Sequence, residues 1–108
     1  MATKYDNTQW TRCARTGGSV TVAISSNVGQ GNGGTSLACR GCWVSPRSGN
    51  TGVIKMNIGA AASASLGIEL SDANTGGGPL WVPVSDVAQL YFYGATNGDD
   101  IDITYLTG

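Results

Sequence analysis

The chain has 108 residues, a net charge of −1 and only 12% charged residues, so it encloses one core rather than two. Hydrophobic residues make up 41% and alternate in phase, which excludes a disordered chain, and no run approaches the length of a membrane span. With no histidine, the usual general base at neutral pH and every catalytic triad built on it are excluded as well.

Seventeen glycines among Ser, Thr, Asn and β-branched residues, with few helix formers, predict an all-β fold. Residues 1–17 are polar and aperiodic apart from Tyr5 and Trp10, and read as an N-terminal arm preceding a sandwich domain over 18–108. They open on Met-Ala-Thr-Lys with no apolar run, so the expectation is a soluble chain without a secretory signal. After a Gly17-Gly18 turn, Ser19–Ile24 is the first strand, with Val20, Val22 and Ile24 alternating against Ser19, Thr21 and Ala23. Ser25–Thr35 reads as a flexible surface loop from its Asn and Gly content. The second strand is Ser36–Ser45, with hydrophobic residues on both faces; Val53–Ile58 is the third, with Ile54, Met56 and Ile58 inward. Ile68-Glu69-Leu70 is the fourth, and a second glycine-rich loop follows at Asn74–Gly78.

The last third, Leu80–Leu106, reads as three further strands, separated by a small Ser85-Asp86-Val87-Ala88 turn and an Asn97-Gly98 hairpin that folds Leu90–Tyr93 onto Ile101–Leu106. Ile101, Ile103 and Tyr105 share one face of the final strand; Asp100, Asp102 and Thr104 share the other, and Asp99 and Asp100 hold its start in water. About seven short strands give a single antiparallel β-sandwich, jelly-roll-like or Ig-like.

The chemistry-bearing residues are few. Cys39-Arg-Gly-Cys42 has the spacing of a zinc knuckle or redox pair, but two cysteines three apart in a strand point to opposite faces. Reduced, structural thiols are the expectation, and no metal or cofactor. The acidic run Asp99, Asp100, Asp102 lacks the spacing of a calcium loop, and Glu69 and Asp72 lie at a strand end as solvated groups. The glycine-rich stretches lack the lysine and following helix of a phosphate loop. No enzyme is expected. Four arginines and a pI near 4.9 make a thin case for nucleic acid, so no nucleic-acid partner is expected.

All six basic residues precede Met56 and six of the seven acids follow it. Either opposite charges occupy different surfaces, or strand order mixes the halves. If Leu80, Val82, Val84, Leu90 and Phe92 form core, Trp81, Tyr91 and Tyr93 form an outward row, suited to subunit contact or to stacking on carbohydrate.

The stretches Cys39–Gly59, Gly78–Gly94 and Gly98–Tyr105, with Asn-Thr-Gly after a strand and a Leu-Tyr…Gly-Asp…Tyr pattern near the C-terminus, resemble the small β-sandwich decoration, or cement, proteins of tailed bacteriophage heads. The resemblance implies a virion protein made in the bacterial host cytoplasm. It would sit on the capsid surface, often as a homotrimer, clamp neighbouring major capsid proteins against DNA pressure and hold no catalytic residues. The expected contact residues are Tyr5, Trp10, Arg12, Arg15, Trp43, Trp81, Tyr91 and Tyr93. The competing expectation is a carbohydrate- or receptor-binding module of a phage tail or head fibre.

Overall fold

A computed structural model describes residues 17–70 and 79–107. Eight strands are present among them: β1 (Gly18–Ala23), β2 (Val28–Gln30), β3 (Cys42–Pro46), β4 (Ile54–Ile58), β5 (Ile68–Leu70), β6 (Leu80–Val82), β7 (Leu90–Gly94) and β8 (Asp100–Tyr105). They form two antiparallel four-stranded sheets in the orders β1-β8-β3-β6 and β2-β7-β4-β5. The all-β sandwich expected from composition is therefore the fold. Its eight-strand order, with every connection except β4–β5 passing from one sheet to the other, is that of a jelly roll rather than an Ig-like domain.

The core is made by alternate residues of both sheets. Val22, Val44, Val82, Ile101 and Ile103 from one meet Ile54, Met56, Leu70, Leu90 and Phe92 from the other, all buried. Burying these side chains, at about 1.5–3 kcal/mol each, is the main force holding the sheets together. Period-two alternation placed Ile101 and Ile103 inward with Tyr105 packing beside them, as the sequence suggests.

Several expectations are corrected. The Asn97-Gly98 turn does not make a hairpin: β7 pairs with β2 and β4, whereas β8 pairs with β1 and β3 in the opposite sheet. The turn instead hands the chain across the sandwich, held by Gly98 N–H donating to Ile24 O (3.0 Å) and Asn27 N–H donating to Asn97 Oδ1 (2.9 Å). The glycine-rich 25–35 stretch contains β2, because Gly29 lets it pass over Val22 without a side chain to clash, and tertiary pairing with Tyr91–Tyr93 overrides its loop-like composition. Residues 36–41 are not strand. They bend at Gly41, whose φ of +135° is a conformation that favours glycine, and the ladder starts only at Cys42. Ile58, the final residue of β4, is exposed, so its inward row reduces to Ile54 and Met56.

The 85–88 turn is a short 3₁₀ turn over Val87–Gln89. Asp86 caps it, accepting from Ala88 N–H (2.8 Å) while also accepting from Leu37 N–H (2.9 Å) and the Ser36 hydroxyl. Those bonds from Leu37 first, then Ser36 and Ala88, hold its carboxyl below the usual aspartate range.

Candidate aromatic and charged surface

Alternation within each strand leaves two outer faces, and the outward aromatic residues divide between them. On the β1-β8-β3-β6 sheet, Trp43 of β3 lies directly opposite Trp81 of β6. Their ring centroids are 5.2 Å apart with planes inclined at 60°, and the residues are 44% and 37% exposed. Trp81 is seated over Gly41: a Cβ there would stand 2.4 Å from its ring. The bend that ends the 36–41 segment is therefore also what lets an exposed indole approach the backbone closely.

Register sets the rest of this face. Trp43 is opposite Thr104, and Thr104 is opposite Ser19, their hydroxyls 3.3 Å apart. One rung along, Ser45, Asp102 and Thr21 are aligned. Beyond the end of β3, Arg47 turns back over this rung. Its Nη2 donates to Asp102 Oδ1 (2.7 Å) and Thr21 Oγ1 (3.2 Å), its Nε to Asp102 Oδ2 (3.3 Å) and its Nη1 to Asp100 Oδ2 (3.3 Å). Thr21 Oγ1 in turn donates to Asp102 Oδ1 (3.1 Å). The Arg47 hydrogen bond, aided by Thr21 and the guanidinium charge, outweighs partial burial and holds the Asp102 carboxyl below its usual range.

On the other sheet's outer face, Tyr91 lies between Gln30 and Asn57, and Tyr93 between Val28 and Lys55. Both tyrosines are half-buried and Val28 is exposed. The single outward row of Trp81, Tyr91 and Tyr93 expected from the sequence is thus two clusters on opposite sides of the sandwich. Tyr5, Trp10, Arg12 and Arg15 lie outside the described residues.

The sequence alone does not reveal the Arg47 network. Its acidic half was legible, since Asp100, Asp102 and Thr104 share a parity, but only the β3–β8 register brings Arg47 to them. The same pairing answers the charge question for these residues: strand order mixes the basic and acidic halves. Asp99 behaves differently from its neighbours. It is 5% exposed, accepting from Gly52 N–H (2.8 Å) and Thr51 N–H (3.1 Å), and so is not a solvated hairpin acid.

Cys39 and Cys42 are both free and buried, the alternation that would have separated them being broken at Gly41. The Cys39 thiol donates to Val84 O (3.3 Å), and burial, with Cys39 adding to it, pushes the Cys42 thiol up to about 11. Among the described residues no group of three or more Cys, Asp or Glu is placed to hold a metal ion, and no helix is long and apolar enough to cross a membrane. Comparison with protein-family models, curated proteins and solved structures yields no match to this chain.

Proposed function

We propose that this chain is a non-catalytic structural protein of a bacteriophage virion that binds the outer capsid surface, joins neighbouring major capsid proteins as a homo-oligomer, and stabilises the head against internal DNA pressure. The observation that supports this reading is the display of aromatic residues on both outer faces of one small sandwich, Trp43 and Trp81 on one and Tyr91 and Tyr93 on the other. A cement must touch more than one neighbour, and Trp and Tyr are the residues on which contact energy concentrates. The jelly roll occurs in viral capsid proteins and in lectins, so by fold-level analogy it accommodates this role without selecting it.

The test is the native mass of the purified protein, followed by co-sedimentation with empty capsids of its source phage and measurement of their heat resistance. A small oligomer, a trimer by expectation, that pellets with capsids and raises their disruption temperature supports the reading. A monomer that stays in the supernatant with every capsid preparation refutes it.

A further inference from the structure

We propose that the outer face of the β1-β8-β3-β6 sheet is a binding site for a neutral saccharide, with Trp43 and Trp81 as the stacking groups and Arg47, Asp102 and Thr104 as hydrogen-bonding partners for its hydroxyls. This does not rest on the capsid role: it assigns to a saccharide one of the two faces that the capsid reading counts as contacts, and leaves the Tyr91 and Tyr93 face to capsid protein.

Three features of the face argue for that occupant. First, the two indoles are exposed yet held in place: they face each other across adjacent strands, and Trp81 occupies the space over Gly41 that any side chain would fill. An exposed ring held in this way binds without a large ordering cost. Second, their planes meet at 60°, so they do not form a flat platform for a crystalline polysaccharide. They form a corner, in which one indole face stacks on the apolar side of a sugar ring while the other bounds its edge.

Third, the rung beside the corner carries rigid, charge-assisted donors and acceptors. Arg47 and Asp102 are fixed by their mutual bonds, and their side chains remain 46% and 44% exposed, leaving capacity directed at solvent. Asp102 is the diagonal neighbour of Trp43, about 7–8 Å away on the sheet surface, within the span of one bound sugar ring. The charge balance favours an uncharged occupant over an anionic one. One guanidinium against two carboxylates leaves a residual negative charge, which accepts from neutral hydroxyls and repels uronic or sialic acid.

The experiment is a printed glycan array carrying neutral hexose, N-acetylhexosamine and acidic chains. It is followed by titration of the best-binding oligosaccharide against the intact protein, read by tryptophan fluorescence and calorimetry. The expected result is binding to neutral chains, with affinity reduced about tenfold or more in both Trp43→Ala and Trp81→Ala. Arg47→Gln should lose affinity as well, and Glu69→Gln, on the opposite sheet, should not. Trp43→Phe and Trp81→Phe keep an aromatic ring; they should fold and bind more weakly than wild type, covering the case in which an alanine variant fails to fold. An array blank for the wild-type protein overturns the proposal, as does binding unchanged in the folded tryptophan variants. Loss of capsid co-sedimentation in Trp43→Ala alongside a blank array assigns the face to a protein partner and equally overturns it. Glycan binding by a protein that ignores capsids supports this site while refuting the capsid role.

Discussion

Removing the Asp99 carboxylate tests the main correction that the structure makes to the sequence. Asp99 joins the β3–β4 loop to the β7–β8 corner. It accepts from Thr51 and Gly52 amides, while Asn50 beside it exchanges two bonds with Asp100, donating Nδ2–H to its carbonyl (2.7 Å) and accepting its N–H (2.8 Å). Asp99→Ala orphans both loop amides, and a buried donor left unpaired costs about 1–3 kcal/mol. Thr51 is exposed and Gly52 half-buried, so water recovers part of this, and the expected loss is about 2 kcal/mol. For a chain of this size that lowers Tm by about 10 °C. Asp99→Asn keeps one acceptor oxygen and the side-chain volume and should cost about half as much. The assay is urea unfolding with amide exchange at Thr51 and Gly52, whose protection should disappear in the alanine variant before global unfolding does. An Asp99→Ala protein within about 0.5 kcal/mol of wild type, with both amides still protected, would show that the carboxylate does not hold this loop.

Phe92 is 1% exposed at the centre of β7 and packs between the sheets, so Phe92→Ala should cost about 3–5 kcal/mol by urea titration, the largest loss among core truncations. Asp86 and Asp102 both titrate below the ordinary aspartate value in the folded protein. Their contribution to stability is therefore fully present above that value and is lost as pH falls through the folded pKa. A Tm series from pH 6 to pH 2 should fall on its acid side, and Asp86→Asn should flatten that limb. With its pKa near 11, about one Cys42 thiol in a thousand is ionised at pH 8, so iodoacetamide should leave it unlabelled in the native protein and label it in urea, as read by peptide mass spectrometry.

How much of the molecule its sequence reveals depends on how local each determinant is. The strands of strict alternation were legible, as in the inward Ile101 and Ile103, because period two needs no knowledge of a partner. The small turn read at Ser85–Ala88 is present as a 3₁₀ turn over Val87–Gln89, and its capping by Asp86 is equally local. The crossing at Asn97-Gly98 was not legible, since a turn dipeptide states that the chain reverses but not which sheet receives it. In a jelly roll nearly every connection changes sheets, so the local signal that makes hairpins in a meander is systematically misleading here.

The same limit divides the candidate surface. Outwardness of Tyr91 and Tyr93 follows from parity against buried Leu90 and Phe92, whereas in β6 Leu80, expected in the core, is as exposed as Trp81 and only Val82 is buried. Grouping Trp81, Tyr91 and Tyr93 into one row assumed that neighbours in sequence are neighbours in space, and β6 and β7 belong to opposite sheets. Register restores what sequence order concealed: Trp43 and Trp81 are 38 residues apart yet directly opposed, and Arg47 reaches carboxylates more than 50 residues away. Both pairs depend on β3 lying between β8 and β6, the central arrangement of this sheet. The start of β3 is fixed in turn by the bend at Gly41. A single glycine therefore sets the parity of Trp43, seats Trp81 and turns Cys42 into the core. Gly41→Ala should disturb the aromatic corner, the buried thiol and the edge of the sheet together, whereas Trp81→Ala should disturb the corner alone.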